Sequence, residues 1–277
     1  MKINNEIIEK TSDLYTRNKI NWTEFYVQID GCQNDSPIEF NIMPKDYLMF
    51  AKNNIKEKVT QTQNCIDAMS NTKRAIECQI DLLINTLGYD YKTFDKRNMY
   101  PVTKAFIKSN FQEEQCDGLT DRLKLLNILG LAPTLILSNI RKLRNQMEHE
   151  YIELSYQDVK GSIEVAELFI NSSNGKLYNL PTLIDVGNTL IDKDENSYSY
   201  YNIQFPFLRL EFDTQNSTDT VKIFIKDNDD SHIGLILKPN DKFYIEVIYC
   251  LLSSDYSKLP FIFECDVKQE FIKFEEV

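Results

Sequence analysis

Residues 141–151 read Arg-Lys-Leu-Arg-Asn-Gln-Met-Glu-His-Glu-Tyr, the densest gathering of chemically able side chains in a chain of 277 residues. The sequence holds only two histidines, and one of them, His149, stands here close to Arg141 and Arg144. An imidazole is the side chain best suited to take up and return a proton near neutral pH, so its placement beside two cations points to proton transfer. At 100° per residue, a helix that brings Ile136, Ile140, Leu143 and Met147 within about 40° of Ile136, taken as zero, would set Arg144 near about 80°, Glu148 near about 120° and Arg141 near about 140°. Asn145 then falls near about 180° and His149 near about 220°, so the five polar residues share one arc. Periodicity alone favours the wet side of an amphipathic helix, with Arg144 and Glu148 an i,i+4 ion pair worth a few tenths of a kcal/mol. Tyr151, at about 60° on the same wheel, lies near the apolar stripe and is expected to pack there with its hydroxyl satisfied.

Other candidate sites are weaker. His232 follows an acidic turn containing Asp227, Asp229 and Asp230, residues that could hold Ca²⁺, yet the twelve-residue loop with a distal glutamate is missing. No GxGxxG, Walker or GxSxG pattern occurs, which leaves nucleotide-fold and serine-hydrolase readings without support. Six cysteines (Cys32, Cys65, Cys78, Cys116, Cys250, Cys265) are far apart, with no CxxC pair, so reduced thiols are expected rather than a disulfide framework or a zinc site. Neither a metal nor a cofactor is expected.

The elements that must position residues 141–151 are helical. From residue 45 to residue 174 the apolar period is that of a helix: Ile76, Ile80, Leu83 and Leu87 form a 4-3-4 stripe that stops at Gly88, a residue suited to a helix end. Leu123, Leu126 and Leu129–Leu131 make a short helix ending near Pro133, and the helix with the polar arc follows. Ser155-Tyr-Gln-Asp158 then predicts a capped helix of about four turns through Val159, Ile163, Ala166 and Ile170. Four or five helices in one block predict a bundle.

On either side the texture is β. Phe25/Val27/Ile29 and Ile38/Phe40/Ile42 alternate across the turn-rich GCQNDSP, predicting a hairpin in an N-terminal segment of residues 1–44. In residues 175–277 the segments QFPFLRLEF, VKIFIK, HIGLILK, KFYIEVIYCLL and PFIFECDVKQEFIKF predict an antiparallel β domain, and IDKDENSYSYYN reads as a polar linker. Because a lone hairpin is marginal in water, the two β portions are expected to pair. Trp22 is expected to pack within the first hairpin. The fold class is therefore α+β. The helical block carries 17 Lys+Arg and 17 Asp+Glu, so the whole net charge of −11 belongs to the flanking segments. A globally acidic chain argues against binding phosphates, an objection that weakens once the helical block proves neutral. The first twenty residues are polar and no run approaches the ~18 apolar residues of a membrane span; a cytoplasmic location without membrane association is expected.

At residues 144–151 the sequence resembles the HEPN family, whose R-x4-H-x-Y signature is matched by Arg144, His149 and Tyr151, with the polar Asn145 directly after the arginine. NTKRAIECQIDLLINTLGY is similar to an early helix of the HEPN bundle, and the resemblance covers residues 45–172. It implies a four- or five-helix bundle that forms a homodimer with the motif helices facing each other. It also implies a metal-independent endoribonuclease, working as a bacterial toxin or anti-phage effector, with RNA as substrate and an antitoxin or nucleotidyltransferase as partner. Carried onto this chain, His149 would move the proton of the ribose 2′-hydroxyl or of the leaving 5′-oxygen, and Arg144 would bind the scissile phosphate. Asn145 would hydrogen-bond the phosphate or orient its neighbours, Glu148 would hold the imidazole or the arginine, and Arg141 would add to RNA binding. Tyr151 would be the hydroxyl that a nucleotidyltransferase antitoxin modifies with AMP. The acidic β domain would sense a trigger or restrain the nuclease by repelling RNA. Arg144 and His149 lie about 140° apart, so one straight helix cannot easily aim both at one phosphate, whereas two antiparallel copies can. The alternative is a non-catalytic dimerisation scaffold whose β domain binds a protein or a small ligand.

Overall fold

The structure is a computed structural model that describes residues 20–32, 40–56, 62–111, 118–192, 201–213, 220–226 and 233–277. Among the described residues there are eight α-helices, a mixed six-stranded sheet and a two-stranded sheet, an α+β fold. They belong to two compact units: Ser36–Met99 with Lys104–Leu177, and Met1–Asp35 with Tyr100–Thr103 and Tyr178–Val277. None of the described helices is long and apolar enough to cross a membrane.

The first of these units is helical. It contains α1 (Pro44–Asn54), α2 (Thr62–Thr86), most of α3 (Pro101–Asn110), α4 (Asp121–Ile128), α5 (Thr134–His149) and nearly all of α6 (Tyr156–Tyr178). Pro44 opens α1, where its missing N–H costs nothing, and the Met43 N–H donates to the Asp46 carboxylate at 2.8 Å. The stripe of α2 is buried at Ile76, Ile80, Leu83 and Leu87. Its end is set by Gly88 at φ 85°, with the Tyr89 N–H closing onto the Ile84 carbonyl at 3.1 Å; a left-handed backbone there favours glycine. Gln79 ties α2 to α6, its Nε2 donating to Ser173 Oγ at 3.0 Å and to Asn174 Oδ1 at 2.8 Å. The cap of α6 is reciprocal: the Asp158 N–H donates to Ser155 Oγ at 3.1 Å, and the Ser155 N–H donates to the Asp158 carboxylate at 3.2 Å. The helix runs 23 residues, well past the expected four turns.

In the other unit the sheet order is β7-β6-β5-β2-β1-β8, with β1 (Glu24–Cys32), β2 (Pro181–Gly187), β5 (Phe207–Asp213), β6 (Thr220–Lys226), β7 (Ile233–Leu237) and β8 (Lys273–Glu276). All neighbours are antiparallel except β1 and β8, which run parallel. Ile184, Leu210, Ile223 and Leu235 sit opposite one another across four strands, and all are buried. One residue along, Asp185 lies opposite Arg209 and accepts from its Nε and Nη2, both at 2.6 Å. Helices α7 (Tyr244–Ser253) and α8 (Leu259–Ile262) complete the unit, α7 lying against β2.

Several expectations are corrected. The N-terminal hairpin does not form among the described residues: Ile38 lies outside them and Phe40 and Ile42 are in non-strand backbone, while β1 pairs with β2 and β8, the expected joining of the two β portions. Alternation showed that β1 is half-buried but could not name its partner. The sheet is mixed, not antiparallel throughout. YIEVIYCLL is helical, with Tyr244, Ile245, Val247, Ile248, Cys250 and Leu251 all buried and Glu246, Tyr249 and Leu252 half-buried; this broad burial overrides the β preference of its branched residues. PFIFECDVKQEFIKF supplies most of α8, a 3₁₀ turn and only the first two residues of β8. The ends of the expected linker pair as β3 (Leu190–Asp192) and β4 (Tyr201–Ile203). Trp22 stacks on Phe263, ring centroids 5.5 Å apart, and meets Phe25 edge-on at 5.4 Å. Of the six cysteines, Cys65, Cys78, Cys250 and Cys265 are not joined in disulfides.

Gly187 ends β2 opposite Tyr26, and a Cβ there would land on Ile203 Cγ2, itself buried on β4. Gly187→Ala should therefore destabilise the β unit by about 1–3 kcal/mol, the usual cost of overpacking. Chemical unfolding followed by circular dichroism checks this; an unchanged midpoint would contradict it.

Candidate active site

Helix α5 carries the polar constellation, but its buried face is rotated from the expected stripe. Thr134, Leu137, Ile140 and Met147 are buried, Leu143 is half-buried and Ile136 is exposed. The buried arc runs from about 20° to about 160° on the wheel, and Arg144, Glu148 and Arg141 fall inside it. All three are half-buried, whereas Asn145 and His149 are exposed. The five polar residues therefore divide between two environments. Long arginine stems make this tolerable, since they can cover apolar surface while the guanidinium reaches a polar partner.

For Arg144 that partner is Glu148, with which it forms an i,i+4 ion pair, while its Nη1 donates to Asn145 Oδ1 at 3.4 Å. The arginine side chain is 22% exposed, and its Nε is buried with no hydrogen-bond partner among the described residues. Of the two roles open to Glu148, the structure displays the hold on the arginine. His149 is the last residue of α5, with its ring at the surface. Beyond the helix the Glu150 N–H and the Ile152 N–H both donate to the Gln146 carbonyl, at 3.1 and 3.2 Å. This turn throws Tyr151 into left-handed backbone, φ 57°, with 89% of its surface exposed. Tyr151 is thus off the helix and unpacked; the wheel angle that placed it near the apolar stripe assumed a helix that stops two residues earlier.

Arg141 faces a different feature, a cleft of about 190 Å³ between α2, α4 and α5. At its margin Arg122 bridges Asp81 and Asp95, accepted by Asp95 Oδ2 at 2.6 Å, and Lys73 pairs with Glu77 at 3.3 Å. Burial pushes the Asp81 carboxyl up to about 6, helped by Glu77 and Asp95 and opposed by Arg122. The opposition is incomplete because one guanidinium serves two carboxylates. Apart from Arg141, none of these charged cleft residues was singled out by spacing, although Asp81 is visible as a charge embedded in the apolar run IECQIDLLINTL.

Because the folded chain holds the Asp81 proton to about 6, above the ordinary 3.8, it binds more protons than the unfolded chain between those values. That contribution to stability is present at low pH and is lost as pH rises through about 6. Asp81→Asn should therefore gain stability relative to the native protein as pH goes from about 5 to about 7.5. Urea melts of both proteins across that range check the sign; a difference independent of pH would contradict it.

Among the described residues no group of three or more His, Cys, Asp or Glu is placed to hold a metal ion, and His232 with Asp227, Asp229 and Asp230 lies outside them. Protein-family models, curated proteins and solved structures yield no match to this chain. Its chemistry must be argued from α5 itself. The helix presents an exposed imidazole at its end, a carboxylate-held guanidinium around its side, and an exposed amide between them.

Proposed function

We propose that the helical unit is a HEPN-type, metal-independent endoribonuclease whose working site is composed from two copies of α5. The observation that carries this reading is the divergence of Arg144 and His149: the guanidinium is half-buried against Glu148 while the imidazole is exposed at the helix end. A single copy thus offers an anion binder and a proton carrier in unlike environments, about 140° apart around an ideal helix, and a second, antiparallel copy supplies what each lacks. The outward side of α5 suits such a partner, since Leu135 and Ile136 are exposed on it along with Asn145 and His149.

In that site a neutral His149 takes the proton of a ribose 2′-hydroxyl. The 2′-oxygen attacks the adjacent phosphorus, the bond from phosphorus to the 5′-oxygen breaks, and that oxygen takes up a proton from the imidazolium, directly or through water, which leaves His149 ready for another turnover. The products are a 2′,3′-cyclic phosphate and a 5′-hydroxyl. The opposing copy's Arg144 binds the phosphate and offsets its growing charge, while Asn145 donates to a non-bridging oxygen. Glu148 holds Arg144 until a phosphate displaces it. In a toxin or defence setting the exposed Tyr151 hydroxyl is within reach of a nucleotidyltransferase antitoxin, and the β unit has the regulatory role.

The test is incubation of the purified chain with RNA in the presence of EDTA, with the product ends analysed. Cleavage leaving 2′,3′-cyclic phosphates, abolished in His149→Ala, supports the reading. Intact RNA, or equal cleavage by both proteins, overturns it. A second reading is favoured by the Arg144–Glu148 pair itself, because a satisfied arginine can be purely structural. On that reading α5 is a non-catalytic dimerisation helix, and Arg144→Ala changes stability or association without changing any RNA.

A further inference from the structure

The cleft between α2, α4 and α5 has a floor of Ile76, Ile80, Leu123, Leu137 and Ile140. Its charged rim is unevenly matched. Lys73 is engaged by Glu77, and Arg122 by Asp81 and Asp95. Arg141 faces the same cleft, half-buried, and has no hydrogen-bond or ion-pair partner among the described residues. A partly desolvated guanidinium beside apolar surface attracts an anion that can accept two parallel N–H bonds. Glu77 and Asp81 also line the space and Asp95 holds Arg122 from its margin, so three cations meet three carboxylates, none of which is paired with Arg141. A monoanion supplies the counter-charge that Arg141 lacks, whereas a phosphate dianion would set a second negative charge beside those carboxylates. At about 190 Å³ the cleft is smaller than the ~300–1,000 Å³ of sites for drug-sized molecules, which limits the occupant to a compact one. Thr120, the N-cap of α4, also lines it and brings a hydroxyl near the positive end of that helix.

We propose that this cleft binds a small organic carboxylate, its charged group on Arg141 and its apolar body on the isoleucine and leucine floor. The site lies on the cleft side of α5, whereas Asn145 and His149 are exposed, and it stands whether or not the chain cleaves RNA. Benzoate is the probe, with benzamide as its uncharged counterpart of equal shape. In the full chain, titration with benzoate should move the methyl resonances of Ile76, Ile80, Leu123, Leu137 and Ile140 saturably. Benzamide should bind about tenfold more weakly or worse, because a charge-assisted pair is lost. Arg141→Gln should weaken benzoate by a similar factor, and Lys142→Gln, at an exposed position of the same helix, should leave it unchanged. Retained floor-methyl resonances in Arg141→Gln show that the variant is folded. The proposal is overturned if benzoate gives no saturable shift at these methyls, if benzamide binds equally well, or if Arg141→Gln binds as the native chain does.

Discussion

His149→Ala should lower the rate of RNA cleavage by roughly 10²–10⁴-fold, the usual loss when a positioned acid–base group is removed, while leaving the fold intact. The second half of that expectation comes from placement: His149 ends α5 and is exposed, so its removal opens no cavity. At most it forfeits a helix-end interaction of about 0.3–1 kcal/mol. Arg144→Ala should lose about as much as removal of a transition-state donor, roughly 10²–10³-fold. Arg144→Lys should restore little, because an ammonium keeps the charge but not the paired donors. Initial rates on a defined oligonucleotide, with circular dichroism to confirm folding, check all three. Full activity in His149→Ala would remove the imidazole from the mechanism.

Asp185→Ala should cost the β unit about 3–5 kcal/mol, the expected penalty for stripping one partner from a buried ion pair. Asp185 is 7% exposed and Arg209 19% exposed, and the bidentate pair joins β2 to β5 near the middle of the sheet. Truncation leaves Arg209 without the carboxylate that its fork engages. Replacing both residues with leucine should recover most of the loss, since the charge and its desolvation disappear together. Urea denaturation of the single and double variants distinguishes the cases. If Asp185→Ala were as stable as the native chain, the pair would be contributing nothing.

Much of the helical unit was legible because its signals are local. Ile76 to Leu87 repeat at helical spacing and Gly88 stops them; Ser155 and Asp158 announce α6 three residues apart. The β unit was less so. A strand's period says that one face is buried but not which strand lies beside it, so β1 was assigned to residues 38–42 when its partners are β2 and β8. The run YIEVIYCLL is apolar in almost every position, which satisfies a helical and an extended template alike, and only its broad burial decides for α7. Strand β2 escaped notice because PTLIDVG does not alternate: Ile184, Asp185 and Val186 are all buried, the carboxylate by virtue of Arg209. At α5 the residue types were legible and their phase was not. Taking Ile136 as the inward residue set Arg144 on the solvent-facing arc; with Leu137 inward instead, Arg144 is half-buried. Helix termination was hidden as well, because nothing in the polar residues 148–151 marks His149 as the last turn.

The central claim is that Arg144 of one copy works with His149 of another. The direct measurement is complementation: two inactive variants, Arg144→Ala and His149→Ala, mixed at equal concentration and allowed to exchange subunits. Half of the resulting dimers are mixed, and each of those rebuilds one of its two composite sites, so cleavage should return to about one quarter of the native rate. A mixture as inactive as either variant alone, under conditions where exchange is shown to occur, would contradict a site shared across the two-fold axis.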